Sequence, residues 1–213
     1  MSPRFLSTQS TQRVYDALAS GYGRLDLFEA RSRELALERL ALEPGVRLLD
    51  VGLGSGAMEA LIARQFGAQV QLFGVDISAK MLTAARRRAP IWLAQASGEA
   101  LPFASASFDR LLCAYVFDLL PPTDIPKWLA GFRRVLRPGG RLVIVSLTEG
   151  VDLFSQIMVG LWKAVYAISP ALCGGCRPLL LHVFVQEAGF EDVQRQVITQ
   201  AGVPSEIVWS DSS

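Results

Sequence analysis

The chain has 213 residues, of which 51% are hydrophobic and 19% are charged. These values are typical of one globular domain with a substantial core and leave no room for two generous domains. The 21 basic residues nearly balance the 20 acidic ones, so no strong field favours nucleic acid, and we expect no nucleic-acid partner. No uncharged apolar run reaches the roughly 18 residues of a membrane span.

The cysteines bear on the compartment. The chain has three, Cys113, Cys173 and Cys176, and its first residues lack the apolar segment and small-residue cleavage site of a signal peptide. We therefore expect a reducing, cytoplasmic environment. The spacing of Cys173 and Cys176 also occurs in zinc sites, but zinc takes about four ligands and the chain has no second pair, so we expect no metal.

Two helices are predicted ahead of the first strand. Apolar and aromatic residues at 14–22 predict a short helix that breaks at the glycines near its end. From 27 to 42, leucines interleaved with charged residues predict an exposed amphipathic helix, which a Pro-Gly pair stops. We expect residues 1–44 to form a helical flap over a ligand site in the remaining domain, 45–213.

Beyond residue 45, short apolar runs alternate with helical patterns. This alternation predicts a doubly wound, Rossmann-like α/β fold with helices on both faces of a parallel sheet, because parallel strands need crossover connections. Two long helical patterns follow at 152–168 and 178–188. The predicted strands are 47–51, 70–75, 91–94, 108–116, 141–146, 190–199 and 203–209.

A strand that runs into a glycine-rich turn and then a helix lies at 48–66. Gly52, Gly54 and Gly56 allow the backbone to approach a ligand closely, and the helix presents its positive end to that ligand. The arrangement predicts a nucleotide-like cofactor site. Two cofactor classes use such a turn, the nicotinamide or flavin dinucleotides and S-adenosylmethionine, and the glycines alone do not separate them.

The neighbouring acids bear on this choice. Gly52, Gly54 and Ala57 satisfy the dinucleotide fingerprint, and Asp76 ends the second strand where a ribose-binding acid belongs. Asp50, however, places a carboxylate two residues before the first glycine, where dinucleotide enzymes usually have an apolar residue under the pyrophosphate. A negative group there suits a cationic ligand better.

Several stretches also carry a family resemblance. Residues 49–56 resemble the first motif of class I S-adenosylmethionine-dependent methyltransferases, 74–78 resemble the second, and 98–103 resemble the third. Residues 135–142 are similar to the turn before that family's fifth strand. The resemblance implies a seven-stranded sheet that is mostly parallel, with an antiparallel last strand, and S-adenosylmethionine as the cofactor.

The resemblance further implies which residues bind the cofactor. Asp76 accepts hydrogen bonds from the ribose hydroxyls, Ile77 and Met81 pack on adenine, and tyrosines near the N-terminus close over the ligand. Ser97 stands where the family often has an acid that meets the adenine amino group, and a serine oxygen accepts that bond more weakly. The implied set is Tyr15, Tyr22, Asp50, Gly52, Gly54, Gly56, Asp76, Ile77, Met81, Ser97, Gly98, Glu99, Ala114 and Tyr115.

Within that superfamily, the sequence is most similar to the ubiquinone and menaquinone biosynthesis C-methyltransferase type, whose N-terminal segment resembles residues 15–22. The superfamily varies the region of 150–188 to make a substrate lid. The apolar patterns there favour a small apolar or amphiphilic acceptor, such as a quinone, a lipid or a secondary metabolite. The same surface could serve homodimerisation or shallow membrane contact, so we expect a monomer or a homodimer.

The end of the fourth predicted strand should open onto the ligand crevice. We expect methyl transfer there, with the Ala114 carbonyl facing the methionine ammonium and with Tyr115 and Phe117 beside the sulfonium. Asp118 is the nearest candidate base, although an acid that begins a helix would look the same. His182, the only histidine, is another candidate, although its apolar neighbours also fit a packed helix.

The leading hypothesis is thus an S-adenosylmethionine-dependent methyltransferase that acts on a small molecule. One alternative is a nicotinamide oxidoreductase, which the glycine spacing allows. Another is a non-catalytic binding module that keeps the cofactor fold, because the sequence contains no certain base.

Overall fold

A computed structural model describes residues 5–18, 29–200 and 202–212. The strands are β1 (Arg47–Val51), β2 (Gln71–Asp76), β3 (Trp92–Gln95), β4 (Phe108–Ala114), β5 (Leu136–Leu147), β6 (Glu191–Gln200) and β7 (Val203–Asp211). The α-helices are α1 (Thr8–Leu18), α2 (Ala30–Leu40), α3 (Ala57–Phe66), α4 (Ala79–Arg86), α5 (Ile125–Val135), α6 (Leu153–Ile168) and α7 (Leu181–Glu187). Short 3-10 helices lie at Gly67–Gln69, Phe117–Leu119 and Pro170–Cys173. Tyr22, with the helix break expected near it, lies outside the described residues.

The strands form one sheet in the order β3-β2-β1-β4-β5-β7-β6. Neighbours from β3 to β5 pair in parallel, whereas β7 runs antiparallel to both β5 and β6. The chain winds outward from β1 to one edge and then crosses to β4 on the other side, so the strand order reverses at β1 and β4. These observations confirm the doubly wound sheet with an antiparallel last strand. Open α/β sheets bind ligands at such a reversal point.

The predicted strand boundaries agree with the structure to within two residues except at the start of β5, which begins at Leu136 and not at residue 141. Phe108 pairs with Leu136, and the register shifts before Arg110 pairs with Arg141. The turn expected ahead of the strand, at 137–140, is therefore an irregular extension of β5. The start of this extension pairs with Phe108 on β4. The residues of the turn itself do not reveal this long-range pairing.

Two apolar layers cover the sheet, one on each face. Leu49 and Leu111 face the layer formed with α5 and α7, whereas their neighbours Leu48 and Leu112 face the layer formed with α2 and α3. Consecutive strand residues project to opposite faces, so continuous apolar runs fill both layers. The structure therefore confirms helices on both faces.

The helix predicted at 27–42 corresponds to α2, which is not the exposed helix that we expected. It packs against β5 and β7. Ser32, Ala36 and Leu40 are buried, and they lie four residues apart on one face. Leu35 and Leu37 are partly buried against the same layer. The expectation failed because two of the three fully buried side chains are small or polar and carry no apolar signal.

The apolar pattern at 152–168 corresponds to α6. Asp152 caps the helix by accepting a hydrogen bond from the Ser155 backbone N–H, at 2.8 Å. Of its side chains only Ser155 and Val159 are buried, while Phe154 and Leu161 are 62% and 58% exposed. Much of its apolar face therefore lies on the surface. Within the described residues, no helix combines the length and apolarity that crossing a bilayer requires.

Candidate functional site

A cavity of about 360 Å³ lies at the carboxyl ends of β1, β2 and β4, a volume in the range of small-ligand sites. The strands contribute their last residues, Val51, Asp76 and Ala114, and the loops beyond them form the walls. Other described lining residues are Leu6, Ser7, Thr8, Thr11, Tyr15, Gly52, Gly54, Ile77, Ala96, Ser97, Gly98, Glu99, Tyr115, Val116, Leu119, Leu120, Pro121, Asp124 and Trp128.

The glycine turn forms the floor of this cavity. Gly52 has a φ of +78°, a left-handed conformation, and a Cβ there would overlap the Val116 side chain. Gly54 also has a positive φ, of +57°. The turn thus brings bare backbone to the cavity wall, as the sequence predicted. Gly56 does not line the cavity; a Cβ there would lie 2.8 Å from the backbone of Ala85 in α4, so this glycine serves helix packing.

Asp76 presents its carboxylate at the cavity wall. One oxygen accepts the Gly54 N–H at 3.0 Å and the other accepts the Ser78 N–H at 2.8 Å. Burial raises the pKa of Asp76 above its ordinary value, and these backbone donors oppose that rise. Ile77 lines the cavity, as predicted. Met81 is fully buried and does not line it, because α4 turns this side chain into the core.

The loop after β3 forms a second wall. Ser97, Gly98 and Glu99 all line the cavity. A Cβ on Gly98 would overlap the ring of Trp128 on α5, so the glycine allows this loop and the tryptophan to pack in contact. Glu99 is exposed and pairs with Lys127.

A smaller cavity of about 60 Å³ adjoins the glycine turn. Asp50 lines it and is 4% exposed, and its Oδ1 has no hydrogen-bond partner among the described residues. Burial raises the pKa of Asp50 well above its ordinary value. Arg33 and Glu29 of the α2 region face the same cavity and pair at 3.2 Å. An unpaired buried carboxyl beside the turn matches the cation-binding role expected of Asp50.

The end of β4 differs from our expectation. Ala114 and Tyr115 line both cavities. The φ of Tyr115 is +56°, which is strained for tyrosine, and its hydroxyl lies 2.8 Å from Ser32 Oγ and 3.0 Å from Ser205 Oγ. Burial raises its pKa to about 12. The hydroxyl therefore connects α2, β4 and β7, and Phe117 is fully buried in the core instead of flanking the ligand.

Asp118 is completely buried and does not line either cavity. Its carboxyl accepts hydrogen bonds from the Ser146 hydroxyl and from the Leu147 N–H, the latter at 3.1 Å and 3.2 Å. Burial raises its pKa to about 7. The structure thus does not bring this candidate base to the cavity, because partners on β5 hold it in the interior.

His182 lies on α7 and likewise does not reach the cavity. Its Nδ1 is 3.2 Å from a carboxyl oxygen of Glu206, which also accepts from Arg195 Nε at 2.6 Å. The other Glu206 oxygen accepts the Leu181 N–H at 2.5 Å. This cluster joins α7 to β6 and β7. Within the described ranges, no group of three or more acidic, cysteine or histidine side chains is placed to hold a metal.

The N-terminal helix roofs the large cavity. Tyr15 lines it, and its hydroxyl lies 3.9 Å from Cys176 Sγ. The neighbouring Asp16 accepts a hydrogen bond of 2.5 Å from the Ser78 hydroxyl, at the start of α4. The predicted position of Tyr15 at the site is therefore observed, and Tyr22 lies outside the described residues.

Sequence reasoning missed several lining residues. Thr11, Asp124 and Trp128 face the large cavity, and Ser32 and Arg33 face the small one. The helical spacing of α5 predicts an apolar face but does not tell which of its residues reaches a ligand. For α2, the polar residues on its buried side were the available signal, since a buried polar face needs partners or a ligand.

The chain is similar to several known proteins. The methyltransferase domain family matches residues 48–140. A 2-phytyl-1,4-naphtoquinone methyltransferase from Thermosynechococcus vestitus is 30% identical over 182 residues, covering 76% of this chain and 80% of that protein. A demethylmenaquinone methyltransferase from Tropheryma whipplei is 37% identical over 151 residues, covering 67% of this chain and 61% of that protein. The chain thus spans about three fifths of this second relative.

Among solved structures, a methyltransferase from Thermotoga maritima has a TM-score of 0.71 to this chain, with 17% identity. The match covers 95% of this chain and 100% of that one. At this identity the likeness concerns the fold alone.

Proposed function

We propose that this chain, which belongs to the class I S-adenosylmethionine-dependent methyltransferases, transfers a methyl group to a small apolar or amphiphilic acceptor. The observation that carries the proposal is the cavity at the reversal point of the sheet, where the glycine turn, Asp76 and the buried Asp50 lie together. Membership of this family removes the nicotinamide alternative that the glycine spacing had left open.

The residues present fit the cofactor. Asp76 offers carboxylate oxygens at the wall of the large cavity for ribose hydroxyls, with Ile77 beside it as an apolar surface for a base. In the small cavity the unpaired Oδ1 of Asp50 suits an ammonium group, and Arg33 suits a carboxylate. The two cavities share Gly52 and Gly54 in their walls, so one ligand with a nucleoside end and an amino-acid end could occupy both.

When bound, S-adenosylmethionine supplies an electrophilic methyl group on a positively charged sulfur. The chain positions the cofactor and the acceptor and excludes water from the site, which favours an in-line displacement. Within residues 1–44, we propose that α1 acts as a flap, supported by the contacts of Tyr15 and Asp16 across the cavity roof, whereas α2 belongs to a core layer of the sheet. Similarly, we assign 150–188 to a substrate lid, supported by the contact between Gly175 and Leu6, a lining residue.

The acceptor class follows from the cavity walls. In the large cavity, Leu119, Leu120, Pro121 and Trp128 form an apolar side, and no described residue that lines it is arginine, lysine or histidine. Such walls favour an uncharged aromatic acceptor over an anionic one. Relatives of this chain are quinone methyltransferases by name. We therefore propose a ring of the demethylmenaquinone type, in its reduced form, as the first acceptor to test.

Transfer to a ring carbon also releases a proton. Asp124 directly precedes α5 at the cavity wall and is exposed, so we propose it as the group that accepts this proton. Asp124→Asn should then lower turnover by roughly 100-fold or more without changing cofactor affinity. Glu43→Gln, at an exposed position ahead of β1, is the control. Unchanged turnover in Asp124→Asn contradicts this role.

Calorimetry with S-adenosylmethionine and its demethylated product tests the function itself. We expect binding of both; no binding by folded protein at about millimolar ligand contradicts the proposal. Transfer of a labelled methyl group to a reduced demethylmenaquinone analogue then tests the acceptor. If the cofactor binds and this analogue is not methylated, mass spectrometry of a cell extract treated with the enzyme should reveal another acceptor.

We further propose a cytoplasmic location with shallow membrane contact through α6, whose exposed apolar side chains include Phe154 and Leu161. The three cysteines are free, which suits a reducing compartment. Flotation with phospholipid vesicles is the test, and a variant with Phe154→Glu and Leu161→Glu should float less. A chain that does not float and sediments as a dimer contradicts the membrane contact and assigns this face to a homodimer.

A further inference from the structure

Two buried carboxyl groups meet beneath the glycine turn. Asp50 is the penultimate residue of β1 and is 4% exposed, and Glu59, in the first turn of α3, is 0% exposed. Burial and then the neighbouring Glu59 side chain raise the pKa of Asp50. Two adjacent carboxylates repel each other and cannot form a hydrogen bond, because both can only accept. A proton on one of the two groups removes this repulsion and supplies a donor.

The pair has few other partners. Asp50 Oδ1 and both carboxyl oxygens of Glu59 have no hydrogen-bond donor from another described residue. Two unpaired charges in this position would each be strongly unfavourable, since burial removes water without replacing its hydrogen bonds. A single negative charge shared by the two groups is the arrangement that this burial permits.

The charged and titratable groups around the pair support a single charge. Asp76 on β2 opposes ionisation of Asp50, and Arg33 on α2 favours ionisation of both acids. The thiol of Cys113 on β4 faces Asp50 as well, and its pKa is raised by burial, so it stays protonated. Arg33 also pairs with Glu29, which leaves it unable to balance two further negative charges.

The open side of the pair is the small cavity, which Asp50 lines and Glu59 does not. We propose that Asp50 and Glu59 share one proton in the cofactor-free protein and release it to solvent when the ammonium group of S-adenosylmethionine enters this cavity. The inference rests on the proposed function. Glu59 is then a positioning residue that acts through Asp50, and cofactor affinity rises with pH.

The experiment measures the protons released on binding. S-adenosylhomocysteine, which carries the same ammonium group, is titrated near neutral pH in phosphate and in Tris, two buffers with different ionisation enthalpies. The dependence of the observed enthalpy on the buffer gives the number of protons released. We expect the native chain to release more protons than Glu59→Gln, with a difference approaching one per site.

The reason for this difference is the amide of the replacement. A glutamine N–H can donate to Asp50 Oδ1 and hold it as a carboxylate before the ligand arrives, so binding no longer displaces a proton. Any proton released by Asp76 is common to both proteins and cancels. Glu43→Gln should match the native chain. Equal proton release by the native chain and Glu59→Gln, with both binding, overturns the proposal.

A failure of the proposed function is distinguishable. If S-adenosylhomocysteine does not bind at all, the proposed function fails, and the carboxyl pair is judged on the ligand-free protein. A proton held only in the folded state makes stability fall as pH rises above the ordinary range of carboxyl pKa values. The melting temperature of Glu59→Gln should then fall less than that of the native chain; parallel curves overturn the shared proton.

Discussion

The ends of β1 and β4 are neighbours in the sheet, yet they use their polar side chains in opposite ways. At β1, Asp50 faces a cavity with an unpaired oxygen. At β4, the Tyr115 hydroxyl bonds to Ser32 and Ser205, and Asp118 is held by β5. The difference teaches that a polar residue at the carboxyl end of a strand is available to a ligand only when no distant segment of the chain has already engaged it.

The largest effect is expected at Asp76, which ends the neighbouring strand β2 and, like Asp50, faces a cavity. Asp76→Ala removes the carboxylate proposed to accept the ribose hydroxyls, and the Kd for S-adenosylhomocysteine should rise roughly 5- to 150-fold, equivalent to about 1–3 kcal/mol. Calorimetry measures it. Asp76→Asn retains one acceptor oxygen, so its Kd should lie between those of the native chain and Asp76→Ala. If Asp76→Ala binds S-adenosylhomocysteine as tightly as the native chain does, then the Asp76 carboxylate at the cavity wall does not bind the ligand, and the comparison fails.

On the closed side, Asp118→Asn should alter the pH dependence of stability. The pKa of Asp118 is raised to about 7, so the folded chain keeps a proton that the unfolded chain loses above about pH 4. The stability that this group provides is present at low pH and is lost as pH rises through about 7. Thermal melts of Asp118→Asn should therefore vary less with pH than native melts, by several degrees.

The affinity of Asp118→Asn for S-adenosylhomocysteine should equal that of the native chain. A folded Asp118→Asn protein that binds the ligand but has lost turnover would place the carboxyl in the reaction after all.

A smaller effect is expected at Tyr115. Tyr115→Phe removes the hydroxyl that joins Ser32 to Ser205 and should destabilise the fold by about 1–2 kcal/mol. Denaturant unfolding measures this change. Ser205→Ala should be made alone and together with Tyr115→Phe. The losses of stability should be less than additive, because both substitutions remove the same hydrogen bond. Lost turnover with unchanged stability would instead show that the hydroxyl acts on a ligand.

The smallest effect is expected at His182. Glu206 keeps its bonds to Leu181 and Arg195 when the imidazole is removed, so His182→Gln should cost below about 1 kcal/mol. Methyl transfer and its pH profile should be unchanged. A shifted pH profile would contradict a purely structural role and would bring the second candidate base back to the reaction.

Much of the fold could be predicted from the sequence because strand periodicity and the glycine turn are local signals. The same signals located Gly52, Gly54 and Asp76 at the cavity, where β1 and β2 end. Asp118 shows the limit of this reasoning. Its partners Ser146 and Leu147 lie 28 and 29 residues away, and no pattern around Asp118 reveals that β5 will bury it.

The side of each helix that meets the sheet was harder to predict for the same reason. In α2 the buried stripe includes Ser32, whose hydroxyl is engaged by Tyr115 across 83 residues. In α6 much of the apolar face is exposed, although the same apolar pattern is typical of a buried helix. Local apolarity cannot tell a core face from a binding surface, since both are made of the same side chains.

The position of β7 has a consequence for synthesis of the chain. β7 is inserted between β5 and β6, so β6 leaves the ribosome before the strand that joins it to the rest of the sheet. Ser205, on β7, then reaches Tyr115 at the wall of both cavities. The cavity wall at Tyr115 is therefore completed only when β7, one of the last segments to be synthesised, has left the ribosome. In a nascent chain arrested before residue 203, Tyr115 should lack its contact with Ser205 and be less well ordered.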